Sequence, residues 1–296
     1  MTTAILSYID PASFEPNATA SFEKPWNKVD GPGKSYGVVN AQQQLLNLRH
    51  QTSAFSINIF GFDTCHAPSS LEDFNDEQQI RKLYYNEVES FLRKHLDGVR
   101  KVVIFDHAIR RRATPSPRQP VQLVHIIQTP AAAKARVLRH TPAEQSAQLL
   151  KGRFQIVNVW RRIQHDASDT PLAVLDWRTT APTDLVKVDL LYPQHSEIQP
   201  DVLPVVEESS SPAGYDVRGE QYVVSPNKDH QFYYVKEMTP DEVLLVKCFD
   251  SRSDFMTGEE NCIAHGTGHT AFTDPQTPDG APLRQSIEVR CLVFYD

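Results

Sequence analysis

Cysteine is scarce in this 296-residue chain: Cys65, Cys248, Cys262 and Cys291 are scattered, with no CxxC pair among them. That excludes zinc-type spacing, and Cys248 and Cys291, in strand-like apolar runs, read as reduced core residues. Glycine (12) is outnumbered by proline (21), the mark of rigid turns between short elements. No run approaches the roughly 18 apolar residues of a membrane-spanning helix. A net charge of -7, with no basic tract beyond Arg110-Arg111-Arg112, argues against a nucleic-acid partner. The start, Met-Thr-Thr-Ala-Ile-Leu-Ser-Tyr, lacks a basic region followed by an apolar stretch, so no signal peptide is expected and a cytoplasmic protein fits. A P-loop, a dinucleotide fingerprint and a nucleophile elbow are also missing.

What is present is enough apolar material for a sizeable core, at 40% hydrophobic residues. We expect one domain over 1–296, with 1–52 as an irregular extension packed on it and the polar stretch 196–214 as a surface loop or lid. Alternation predicts a strand over 53–60. An amphipathic helix is expected over 77–96, with Ile80, Leu83, Tyr84, Val88, Phe91 and Leu92 on one face and Gly98 as its stop. Strands over 102–106 and 121–128 follow; pairing as a hairpin would turn His107 and His125 toward one region. A helix is expected over 131–140. Thr141-Pro-Ala-Glu144 then reads as a capping box for a second, ended by Gly152. Beyond that the pattern is β, over 154–160, 172–177, 185–191, 231–235, 243–249 and 287–295. A mainly β fold with flanking helices follows, a β-sandwich or jelly roll.

Three residue types stand in an order that carries chemistry. His125 ends an apolar run, His269 lies far downstream, and Arg284, Ser286 and Arg290 trail it. Mononuclear iron oxygenases use two histidines and one carboxylate on a single face of the metal, leaving the other face open. His-x-Asp supplies two of these, because residues i and i+2 of a strand share a face. An arginine then binds a co-substrate carboxylate bidentately. Here the residue two after His125 is Ile127. His107 stands as a general acid/base or as a strand-end histidine anchoring the arginine turn. Asn158 is a polar liner of a cavity, Trp160 beside it a core residue. His265, four before His269, is a substitute ligand. His140, His165, His195 and His230 sit beside turn residues and read as surface positions.

Several long segments, in order, resemble one family. They are Phe105-Asp-His-Ala-Ile-Arg110, Val124-His-Ile-Ile-Gln-Thr-Pro-Ala-Ala-Ala133, Lys151-Gly-Arg-Phe-Gln-Ile-Val-Asn-Val-Trp160, Thr239-Pro-Asp-Glu-Val-Leu-Leu-Val-Lys-Cys-Phe-Asp-Ser251, His269-Thr-Ala-Phe272 and Arg284-Gln-Ser-Ile-Glu-Val-Arg-Cys-Leu-Val-Phe-Tyr295. The family is the fungal hydroxylases/desaturases of secondary metabolism. The resemblance implies a double-stranded β-helix that binds Fe(II) and 2-oxoglutarate and oxidises a small natural product. It implies His125 and His269 as metal ligands and the terminal arginines as co-substrate anchors. The family's first motif reads His-Val-Asp-Gln; this chain keeps His125 and Gln128 and departs at Ile127. Three readings of that departure stand side by side. A third ligand comes from elsewhere, with Asp106, His107 or His265 as candidates. A halide takes the place, against which the bulk of isoleucine speaks. Or the cavity works without metal as a cyclase, dehydratase or isomerase, using His107, His125 or His269. A non-catalytic partner subunit is a further alternative, since the family includes an accessory protein of cephalosporin methoxylation. Substrate identity and oligomeric state are not encoded in these motifs.

Overall fold

The computed structural model describes residues 1–14, 24–29, 31, 33–51, 55–112, 120–165, 169–194, 211–253 and 263–296. Fourteen strands are formed among them: β1 Thr2–Ile9, β2 Trp26–Lys28, β3 Val38–Asn47, β4 Phe62–His66, β5 Val99–Arg111, β6 His125–Ile126, β7 Phe154–Arg162, β8 Leu172–Leu175, β9 Leu185–Pro193, β10 Tyr215–Val224, β11 Phe232–Tyr234, β12 Glu242–Asp250, β13 His269–Ala271 and β14 Gln285–Tyr295. They build a nine-stranded sheet, β1-β3-β11-β8-β13-β6-β10-β9-β2, and a five-stranded sheet, β4-β12-β7-β14-β5. The larger sheet curls until Ser7 of β1 bridges to Leu123, just before β6. This is the expected mainly β, jelly-roll class.

Helices cover the smaller sheet. A continuous helical stretch runs through α1 (Glu77–Gln79), a π-helical turn (Ile80–Tyr84) and α2 (Tyr85–His95), as expected for 77–96. Its buried stripe, Ile80, Tyr84, Val88 and Leu92, packs on Val157, Val159, Val243, Leu245, Val289 and Cys291 of the sheet. Each such side chain, fully buried, is worth about 1.5–3 kcal/mol. Leu83, counted on that stripe from the sequence, is exposed. Gly98 follows with a φ of +74°, the left-handed conformation of a helix stop. Helices α3 (Pro130–His140) and α4 (Ala143–Leu149) come next. Among the described residues no helix is long and apolar enough to cross a membrane.

Several expectations need correcting. Among the described residues of 1–52, β1, β2 and β3 belong to the larger sheet rather than to an irregular extension. Glutamines in Val-Val-Asn-Ala-Gln-Gln-Gln-Leu-Leu-Asn hid a strand whose first half is exposed or half-buried. Residues 57–60 form a turn, and the strand begins at Phe62. Residues 102–106 and 121–128 do not form a hairpin: β5 is an edge of the smaller sheet, whereas β6 is interior to the larger one. The capping box is not made. Thr141 Oγ1 donates to the Val137 carbonyl instead, so it closes α3 and leaves the start of α4 without a side-chain cap. The lid segment lies outside the described residues up to 210; 211–214 lead into β10.

Candidate active site

The register of β6 against β13 sets His269 directly opposite His125. Directly opposed residues of an antiparallel pair project from one face, and the two rings meet with centres 4.6 Å apart. Val174 of β8, opposite His269, packs with Trp160 and Leu244 of the smaller sheet, so this face looks into the interior between the sheets.

Both imidazoles are held alike. Nδ1 of His125 donates to the Leu123 carbonyl (2.8 Å), and Nδ1 of His269 to the Thr267 carbonyl (2.9 Å). A carbonyl can only accept, so each proton sits on Nδ1 and each Nε2 keeps its lone pair. Burial, and then the neighbouring His269, pushes His125 down to about 3. His269 is also pushed down, chiefly by burial. Two neutral rings with free, oriented Nε2 atoms are what a metal needs from histidine.

The facing wall is β14 with its neighbours. Ile287, Val289 and Cys291 point at the helices, so the alternating Ser286, Glu288 and Arg290 point inward. Arg290 donates to Glu288 Oε1 through Nε (3.2 Å) and Nη2 (3.1 Å), and to Asp106 Oδ2 through Nη1 (2.6 Å). Burial works against the guanidinium, but Glu288 and Asp106 outweigh it and raise its pKa. Burial likewise works against the Glu288 carboxylate; Arg290, His269, Arg110 and His125 together hold it below its ordinary value. Glu288 therefore acts electrostatically on both imidazoles.

Arg284 is in a different situation. It is 2% exposed, stands over the Trp160 ring at 5.0 Å, and donates to Ser286 Oγ and the Thr170 carbonyl, both at 3.1 Å. Among the described residues no carboxylate pairs with it. Burial, then the like charges of Arg162 and Arg110, pushes it down to about 9. A buried cation whose partners are a hydroxyl and a carbonyl is a ready seat for an anion. Asn158, opposite Arg290 on β7 and 1% exposed, has no hydrogen bond to either side-chain atom among the described residues. Such a group is costly unless something polar meets it.

The structure thus gathers His125, His269, Arg284, Ser286, Arg290 and Asn158 about one interior, and leaves His107 out. His107 lies on the helix-facing side of β5, with Nδ1 2.8 Å from the Tyr85 hydroxyl and Nε2 3.1 Å from Glu77. The period-2 alternation that turns Asp106 inward toward Arg290 turns His107 outward. Ile127 packs on the apolar cluster that includes Ile156 and Leu292 and offers no donor. His265 sits among the rings of Trp177, Tyr222 and Phe249, acted on by Asp250 and Lys247, apart from the histidine pair. His230, expected at the surface, is buried, with Nε2 3.0 Å from Asp184. Residue 195 lies outside the described residues. Glu288 was overlooked in the sequence, although the criterion that singled out Arg290, a charge at an alternating position of an apolar strand, applies to it equally.

A family described as "Oxidoreductase/YMDC permease-like domain" matches residues 6–294. Hydroxylase/desaturase poxK of Penicillium oxalicum is 32% identical over 77% of this chain and 70% of its own. Hydroxylase/desaturase efuI of Hormonema carpetanum is 30% identical over 87% of this chain and 85% of its own. Among solved structures, the iron and alpha-ketoglutarate-dependent endoperoxidase NvfI superposes with a TM-score of 0.73 at 26% identity, covering 99% of this chain and 97% of that one.

Proposed function

This chain belongs to the fungal hydroxylase/desaturase family, and we propose that it is an Fe(II)- and 2-oxoglutarate-dependent oxidoreductase of natural-product biosynthesis, hydroxylating or desaturating a small organic substrate between its sheets. The observation that carries this reading is the opposed His125–His269 pair, each ring pinned through Nδ1 with Nε2 left as a donor.

The donor set fits the metal in two of three positions. Glu288 acts on both rings, but the three donor atoms do not all lie within 4.8 Å of one another here, so its carboxylate would have to swing from Arg290 to complete the set. His125 and His269 would hold Fe(II) through Nε2. Ile127 cannot contribute, so we assign the carboxylate to Glu288, whose charge already acts on both rings. Arg290 can give up Glu288 because Asp106 keeps its charge paired. Arg284 and Ser286 would take the outer carboxylate of 2-oxoglutarate, since Arg284, unlike Arg290, has no carboxylate partner among the described residues. Asn158 is the neutral hydrogen-bonding group left to orient a bound molecule. When bound, iron and 2-oxoglutarate supply the oxidising power drawn from O2. The chain's own part is to hold both, to exclude water with Trp160 and the apolar wall, and to present the substrate.

The test is anaerobic Fe(II) titration followed by succinate release in air. One Fe(II) per chain is expected, lost in His269→Ala. Arg284→Met is expected to keep iron and to raise the KM for 2-oxoglutarate about 100-fold, the order that follows from removing one member of a buried charge pair. No stoichiometric iron and no succinate would sink the proposal. Activity that survives a strong chelator but not His125→Ala would point to a metal-independent catalyst instead.

A further inference from the structure

A second set of metal-type donors lies outside this interior. Asp63 and Cys65 occupy i and i+2 of β4, the edge strand of the smaller sheet, and share the face that meets the helices. Their register partners, Leu245 and Val243, pack on the same helical stripe. His95 is the last residue of α2. Its Nε2 lies 3.3 Å from Cys65 Sγ and 3.0 Å from Asp63 Oδ2, and the three donor atoms all fall within 4.8 Å of one another.

We propose that Asp63, Cys65 and His95 form a binding site for a borderline-soft divalent cation of the zinc class. A thiolate, an imidazole and a carboxylate are the donors such an ion takes. Around a tetrahedral ion with bonds of about 2.0–2.3 Å, ligand atoms stand about 3.3–3.7 Å apart. The observed spacing is already close to that. Cys65 Sγ is also 3.6 Å from Nδ1, so the sulfur stands over the ring and not in line with the Nε2 lone pair. A turn of the imidazole about its Cβ–Cγ bond then brings Nε2 to the metal. The thiol loses its proton to solvent, and the ring takes the Nδ1–H tautomer. Asp63 and His95 side chains are 20% and 31% exposed, which leaves an entry path and room for water as the fourth ligand.

The same residues do not make a nucleophilic triad. That arrangement needs the thiol on one ring nitrogen and the carboxylate on the other, whereas here Nε2 faces both. Burial, then Asp63, also holds the thiol up at about 12. As a metal site the trio ties the end of α2 to an unpaired sheet edge, a place where strands need protection.

Co(II), titrated alone into the full chain, tests this. A thiolate-to-cobalt charge-transfer band is expected, saturating at one equivalent and displaced by Zn(II). It should vanish in Cys65→Ser, weaken at least tenfold in Asp63→Asn and His95→Gln, and persist in His125→Ala, which separates it from the interior site. Zn(II) should raise the Tm of His125→Ala, in which the interior site is removed, and leave that of the His125→Ala/Cys65→Ser double variant unchanged. No thiolate band in the parent, or binding unaltered in both Asp63→Asn and His95→Gln, overturns the proposal. Near-UV circular dichroism checks the fold of each variant. If Cys65→Ser does not fold, the two half-exposed positions decide the matter alone.

Discussion

Ile127 puts a branched hydrocarbon where the family resemblance leads one to expect a carboxylate, and its surroundings match it, since it packs on the cluster of Phe154, Ile156, Leu292 and Phe294. Replacing it by aspartate should therefore have two opposed effects. In the metal-free protein, Ile127→Asp buries a carboxylate against apolar neighbours and should cost about 2–4 kcal/mol, read from thermal melts. With Fe(II) present, affinity should rise at least tenfold, because an oxygen ligand then stands two residues from His125, just past the end of β6. Unchanged affinity would mean that position 127 does not face the metal. Glu288→Gln should lower Fe(II) affinity at least tenfold, and the double variant should recover it if both carboxylates serve one site. At this scale the residues named from spacing and resemblance, His125, His269, Arg284, Ser286, Arg290 and Asn158, come together about one interior. His107 was misplaced and Glu288 missed for one shared reason. A single step of strand register decides which side chains enter the interior, and no local signal states that register.

Among the elements, β12 carries the most concentrated polar packing. Its register shifts between Lys247 and Phe249, and the resulting bulge turns Lys247 and Asp250 into the protein together. Asp250 accepts from Lys247 Nζ (2.9 Å), Arg153 Nη2 (2.7 Å) and Gln155 Nε2 (2.7 Å), which binds the bulge to β7. Burial works against this carboxylate, but Lys247 and then Arg153 and Gln155 outweigh it and hold it down at about 2. Asp250→Ala would leave Lys247, 0% exposed, without its counter-charge. A loss of about 3–5 kcal/mol is expected in urea unfolding; a loss under ~1 kcal/mol would show that the charges rearrange. The bulge was not readable from Val-Leu-Leu-Val-Lys-Cys-Phe-Asp, which reads as one uninterrupted strand. The helices were readable, because a 3.6-residue apolar stripe is a local signal. The Thr129 hydroxyl accepting from the Ala132 amide caps the start of α3, a start not singled out from the sequence.

For the whole molecule, buried neutral histidines set the acid limit of stability. Burial holds His265 at about 3, against an ordinary 6.5. The unfolded chain takes up that proton below about pH 6.5, while the folded chain refuses it until about 3. This group's contribution is therefore complete above pH 7 and is lost as pH falls through that window, at about 1.4 kcal/mol per pH unit. His125 and His269, both pushed down, add in the same direction. Asp250 acts only in a lower window, toward pH 2. Urea midpoints should fall steadily from pH 6.5 to 4, and His265→Phe should flatten the slope by about one proton; a pH-independent midpoint would refute the account. The sequence by itself determined the mainly β class and the flanking helices, because periodicity is a local property of a chain, and its resemblance to a family named the residue types of a two-histidine, one-arginine site. Only the tertiary structure decided that 1–52 supplies three strands, that β5 and β6 lie in different sheets, and that Glu288 rather than His107 faces the histidine pair. Those outcomes rest on pairings between residues far apart in the chain, chosen by the burial of whole sheet faces.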